Sequence, residues 1–249
     1  MFKLLALFFL CFAFSAQAQV TLAEFQIIKA VFEAEFGPEL KAQNARLNIN
    51  RPPTPATPNF WWDLEAAHAS YSGYKDPQTG IQDHNLYLFG GYGKMVGMTM
   101  DGVAMTLCHE LGHGIGGAPY KNKTDNIQAS TEGQSDYYAA RYCIKRIFKR
   151  LPEEVPVKAP DTYTAKLCEA KFKKSEDLKL CYRGFQELEV ERIFLRTQGP
   201  NDTYYDTPDK TVVKKTDLSP TFYPSPQCRL DTMMAGLLEK ERPRCWFAP

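Results

Sequence analysis

The run Cys108-His109-Glu110-Leu111-Gly112-His113 places a stricter demand on this chain than any other segment. Its spacing is H-E-x-x-H. On an α-helix, residues four apart lie about 40° apart around the axis and about one turn along it. His109 and His113 can then aim two imidazole nitrogens at one point, where a metal ion can sit. Glu110 lies about 100° round from His109 and does not face that point in the same way. Its side chain can instead reach solvent at the metal, the place of a general base. The flanking residues agree with a helix. Asp101 reads as its cap, Val103 to His113 as its body, and Gly114, Gly116, Gly117 and Pro119 as its stop.

A zinc ion that keeps one position open for chemistry needs a third protein ligand. The longer pattern H-E-x-x-H-x-x-G-x-x-H is met as far as Gly116 and broken at Pro119, which has no side-chain donor. The next helix carries Glu132 and Asp136, spaced E-x-x-x-D. If Glu132 reaches the metal, Asp136 is placed one turn on to accept the second ring N–H of a bound histidine. The reverse assignment, Asp136 as ligand with Glu132 in support, also satisfies the spacing. Asp125 is a further acid, in a polar loop.

H-E-x-x-H followed by E-x-x-x-D resembles the gluzincin group of zinc peptidases, which includes the thermolysin-like enzymes and the HtpX-like family. The resemblance covers His109 to about Ala140, a small part of the chain. It implies one Zn2+ held by His109, His113 and Glu132, with Glu110 as base and Asp136 orienting a ligand. It also implies a catalytic helix pair beside a sheet, and a peptide or protein as substrate. The chain departs from membrane members of the second family in having no expected span after its leader. It departs from a full thermolysin in its shortness. Two other functions use the same residues: an exported binding or inhibitory module without activity, and a zinc amidase acting on cell-wall material.

The leader is read from Met1-Phe2-Lys3, the apolar run Leu4 to Phe14, and the small residues of Ser15-Ala16-Gln17-Ala18. This is the pattern of a secretory signal cut after Ala18, too short to span a bilayer, which takes about 20 apolar residues. The expected location is therefore secreted or periplasmic. Removing residues 1–18 takes away Lys3 and no acid, leaving 29 basic and 29 acidic residues. With no basic patch, nucleic acid is not an expected partner.

Cleavage also removes Cys11 and leaves Cys108, Cys143, Cys168, Cys181, Cys228 and Cys245. An even count in an exported chain predicts disulfides. The local pairs Cys168 with Cys181 and Cys228 with Cys245 are preferred, because short loops close cheaply. Pairing Cys108 with Cys143 looks awkward. Cys143 lies about 16 Å along the second helix from Glu132, while a disulfide needs Cα atoms within about 7 Å. Either the helices cross in an unusual way that lets the two meet, or Cys143 pairs with the C-terminal region; a free buried Cys108 is a further option.

The remaining segments give an α+β fold: a small sheet packed on the two metal-bearing helices, and a helical, loop-rich C-terminal part held by disulfides. Residues 1–18 are the signal, 19–58 N-terminal helices and a connector, 59–152 the zinc-peptidase core, and 153–249 the C-terminal extension. Thr21 and Glu24 form a capping pattern before the helical stripe Leu22, Phe25, Ile28, Phe32 and Phe36. Gly37-Pro38 should end that helix, with a second short one over 39–46. The four prolines within Asn50 to Pro58 read as an extended connector. Strands are expected in 60–71 and 86–89, around a turn in 74–80. Further helices are expected over 130–150, 164–196 and 231–240, with a loop-rich stretch in 199–226.

Peptides often bind by adding a strand to a sheet edge, and Leu86 to Gly91 is one candidate edge. An oxyanion donor is sought among Tyr120, His84, Tyr204 and Tyr205, with no spacing argument to choose among them. Tyr137 and Tyr138 lie off the Glu132 face and read as packing residues. His68 reads as a structural histidine on a strand.

Overall fold

The computed structural model describes residues 19–122, 127–196, 199 and 202–249. The expected signal, 1–18, and the loop acid Asp125 lie outside the described residues. The architecture is α+β, a three-stranded sheet packed among helices.

Helix α1, Leu22–Ala42, opens on a capping box in which Thr21 and Glu24 satisfy each other's backbone N–H groups. It passes through Pro38 and does not stop there. The reason is burial: Phe25, Ile28, Phe32, Phe36 and Leu40 form one continuous buried stripe, and Leu40 lies beyond the proline. Packing of that stripe outweighs the local cost of the proline. The expected second helix over 39–46 is replaced by the end of α1 and by strand β1, Ala45–Ile49.

Strand β2 is Ala69–Lys75 and β3 is Gln82–Leu88. β3 is central, parallel to β1 and antiparallel to β2. The candidate edge at Leu86 is therefore an inner strand, and β1 and β2 are the two edges. The expected strand at 60–71 begins only at Ala69, because Trp61 and Trp62 belong to a series of turns. Trp62 is buried and stacks on Phe25, with ring centroids 4.7 Å apart. The short helix α2, Gly90–Gly93, passes tightly against this segment; a Cβ on Gly90 would strike the Trp62 carbonyl.

Helix α3, Met100–Ile115, carries H-E-x-x-H. Its cap is Thr99, whose hydroxyl accepts from Gly102 N; Asp101 instead pairs with Arg183. Nearly every residue of α3 before Gly114 is buried, because the sheet covers one side and later helices the others. The helix that carries Glu132 and Asp136 consists of α4, Glu132–Tyr138, a π-helical turn, Ala139–Cys143, and α5, Ile144–Phe148. The C-terminal part adds α6, Thr162–Lys171, α7, Ser175–Arg196, and α8, Pro226–Leu237. Ser225 caps α8 and Pro226 occupies its first turn, so this helix starts five residues earlier than expected. Among the described residues no helix is long and apolar enough to cross a membrane.

Both local disulfides, Cys168–Cys181 and Cys228–Cys245, are present. The pairing judged awkward is present too: Cys108–Cys143, with Cα atoms 5.6 Å apart. The helices touch not at Glu132 but at Gly112 and Ser135, where a Cβ on Gly112 would lie 3.0 Å from the Ser135 Cα. From Ser135 to Cys143 is only about 12 Å along a helix, and Cys108 lies one turn back from Gly112. The long side chains of His109 and Glu132 span the rest. Three disulfides belong to an oxidising environment.

Candidate metal centre

His109 and His113 project from one face of α3, as their spacing requires, with ring centroids 4.8 Å apart. Glu132 enters from the first turn of α4. Its Oε2 lies 3.2 Å from His109 Nε2 and its Oε1 lies 3.6 Å from His113 Nε2. One donor atom from each of these residues falls within 4.8 Å of the others.

The outer nitrogens of both rings are engaged. His113 Nδ1 lies 2.8 Å from the Ser130 carbonyl oxygen and 2.9 Å from Ser135 Oγ. A carbonyl only accepts, so Nδ1 carries the proton and the Nε2 lone pair faces Glu132. His109 Nδ1 lies 2.7 Å from Asp136 Oδ1, which sets the same orientation. Asp136 in turn accepts two bonds from Arg229 on α8, Nε to Oδ2 and Nη2 to Oδ1, each 2.8 Å.

The donor set fits a metal ion. Glu132 is buried, and the protein group close to its Oε2 is His109 Nε2 at 3.2 Å, itself a candidate donor atom to the same ion. Two imidazole lone pairs and a carboxylate oxygen converging in a buried space are what a nitrogen- and oxygen-preferring cation requires. His109, His113 and Glu132 can hold such an ion. Asp136 lies outside that group of three, its two oxygens taken by Arg229 and His109.

Electrostatics follow the packing. Burial opposes a charge on His109, but Asp136 and Glu132 outweigh it and push the imidazole up to about 10, so its Nε2 lone pair becomes available to a cation only as that cation displaces the proton. Burial and the neighbouring His109 charge push His113 down to about 3. Burial works against ionised Glu132, yet the two histidines and Lys121 hold its carboxyl well below the usual range. Lys121 Nζ lies 2.7 Å from Glu132 Oε1. Glu110 is buried on the neighbouring face of α3; burial raises it to about 7, with His109 opposing and Glu132 reinforcing the rise.

These residues form one wall of a cavity of about 890 Å³. Its rim includes Ala67 to Tyr71, the start of the β2 edge, and Tyr223 and Pro224 from the C-terminal part. The sequence-based search for an oxyanion donor is not met by its four candidates. His84 is buried behind Tyr71, with Nδ1 3.0 Å from the Tyr71 hydroxyl. Tyr120 bridges to Ser130, Tyr204 N bonds to Gln227, and Tyr205 packs edge-on against Phe185. None of the four lines the cavity, whereas Tyr223 does. Burial and the charge of Glu132 raise the Tyr223 phenol to about 12, so it keeps its proton. His68 also lines the rim, its ring 5.0 Å from Phe89. Tyr137 and Tyr138 stay off the metal side; the Tyr137 hydroxyl donates to the Lys240 carbonyl.

Sequence reasoning missed Arg229, Lys121 and Tyr223. Arg229 was within reach, since Ser225-Pro226 is a helix-start signal that brings it onto α8. Lys121 and Tyr223 lie on irregular segments, where no periodicity assigns a direction to a side chain. Comparisons of the chain with protein-family models, with curated proteins and with solved structures return no match.

Proposed function

We propose that the protein is an exported zinc metallopeptidase that cleaves peptide bonds in peptide or protein substrates. One observation carries this reading: His109, His113 and Glu132 converge within 4.8 Å while buried Glu110 stands beside them on an open cavity. When bound, zinc supplies a Lewis acid that makes water acidic near neutral pH and polarises a carbonyl.

The chain's own residues do the rest. His109, His113 and Glu132 are the holding groups, and Asp136 and Ser130 fix the two rings by their Nδ1 atoms. Glu110 takes a proton from the water that attacks the peptide carbonyl carbon. It passes that proton to the amide nitrogen as the C–N bond breaks. Tyr223, which keeps its proton, is the hydroxyl that donates to the carbonyl oxygen as charge develops there. The β2 edge near Ala69 and Ser70, which borders the cavity, is where an extended peptide can add a strand, in place of the inner strand at Leu86.

The test is metal content and hydrolysis of the purified chain, wild type beside Glu110→Gln, Glu132→Ala and Asp136→Ala. The expected result is one zinc per chain, retained in Glu110→Gln with hydrolysis lost, and lost in Glu132→Ala. Zinc bound without hydrolysis of any peptide points to a silent binding module. Hydrolysis of wall fragments with peptides untouched points to an amidase.

A further inference from the structure

Helix α7 carries Glu187 and Glu191, one turn apart and therefore on one face. Both are buried, at 2% and 7% exposure. Neither oxygen of Glu187 has a hydrogen-bond partner. Glu191 lines the cavity beside the candidate metal centre. A buried carboxylate with no partner costs several kcal/mol of lost hydration, so a stable core gains nothing from this pair.

The surroundings resemble a slot. Met105, Met233, Tyr92 and Thr106 also line the cavity and are themselves buried, which makes this part of it a recess. Its walls are largely apolar, and an acid stands within them. The Thr106 hydroxyl is committed to its neighbours, Tyr92 Oη at 2.9 Å and the Gly102 carbonyl at 3.1 Å. The nearby cation, Arg229, lowers the Glu191 carboxyl only in part, since Asp136 takes two hydrogen bonds from its guanidinium and burial outweighs it. Apolar walls around an acidic end match a side chain with a hydrocarbon stem and a cationic head.

We propose that Glu191, backed by Glu187, forms the floor of a subsite that admits a Lys or Arg side chain of the peptide substrate. This rests on the peptidase reading. An incoming ammonium or guanidinium gives Glu191 a cation of its own, where Arg229 is shared with Asp136. Burial raises both carboxyls, Glu191 to about 7, so the empty recess is easily protonated and the cation stabilises the ionised form.

The test uses the full disulfide-bonded chain loaded with zinc. Substrates are peptides acetylated at the N-terminus and amidated at the C-terminus, with Lys, Arg, Leu or Glu placed in turn at each position flanking the cleaved bond. The same peptides with free N-termini form a second arm. At one position wild type should favour Lys or Arg over Leu in kcat/KM by about tenfold or more. Glu191→Gln should collapse that ratio, Glu191→Asp should keep most of it, and Glu187→Gln should reduce it. Thermal melts of each variant identify those that fail to fold, and Glu187→Gln carries the test if Glu191→Gln does so; an undiminished cation preference in a folded Glu191→Gln or Glu187→Gln overturns the subsite. Cleavage with no preference for a cation overturns the subsite and leaves the peptidase standing. A preference that follows the free N-terminus overturns it in favour of amine capture. No cleavage of any peptide overturns the peptidase reading itself, and the subsite with it.

Discussion

Asp136 Oδ1 lies 2.7 Å from His109 Nδ1, so an acid on the second helix sets the direction of an imidazole on the first. Arg229 holds that same carboxylate from a third helix. Asp136→Asn should weaken zinc binding by about 10–100-fold, the usual loss when a ligand's outer partner is removed. Arg229→Met should instead destabilise the fold by about 3–5 kcal/mol, because it strands a buried charge. Competition with a chromophoric chelator reads the first outcome, and chemical denaturation reads the second. Equal zinc affinity in Asp136→Asn and wild type would sink the orienting role.

Gly112 is where α3 and α4 make backbone contact. A Cβ there would lie 3.0 Å from both the Cα and the carbonyl oxygen of Ser135. Gly112→Ala should cost about 1–3 kcal/mol through overpacking and should weaken zinc binding as Glu132 is pushed outward. Urea denaturation reads the first effect and chelator competition the second; an unchanged urea midpoint in Gly112→Ala would remove the close approach from the account.

The Cys108–Cys143 bridge closes a separation of 35 residues and ties the helix of His109 and His113 to the helix that follows Glu132. Replacing both with Ser should cost about 3–4 kcal/mol through the greater entropy of the unfolded chain. It should also lower zinc affinity, since the ligands no longer sit on tethered helices. Calorimetry with and without zinc separates these effects. An unchanged melting temperature in the double variant would remove the bridge from the account.

Glu187 and Glu191 make stability depend on pH in a stated direction. Burial raises both carboxyls in the folded chain, with Asp101 and Glu191 adding to the rise at Glu187. At Glu191 the Arg229 charge opposes the rise, Asp136 adds to it, and His109 opposes it again. The folded chain therefore binds more protons than the unfolded one above about pH 4.5, and stability falls as pH rises through about 7. One full proton of difference corresponds to about 1.4 kcal/mol per pH unit. Glu187→Gln should flatten this slope between pH 5 and 8. Denaturation curves across that window, with disulfides intact, check it; a slope equal to that of wild type would contradict it.

Much of the centre was legible because helical periodicity is local. The four-residue spacings of His109 with His113 and of Glu132 with Asp136 each select one helix face without reference to the rest of the chain. The same locality misled the reading at Pro38 and at β1. There, burial of Leu40 and Ile49 outweighed the turn signals around them. It also misplaced the sheet edge, because strand order depends on which segments meet and not on any one segment's pattern.

By itself the amino-acid sequence determined the helix that carries His109, Glu110 and His113, the acid pair that follows it, and the two short-loop disulfides. All of these depend on neighbours a few residues apart. Only the tertiary structure decided that Gly112 lets the helices touch, that Cys143 thereby reaches Cys108, and that Arg229, Tyr223 and Glu191 arrive at the same cavity from the far end of the chain. Those meetings are set by packing between surfaces distant in sequence, and residue spacing carries no record of it.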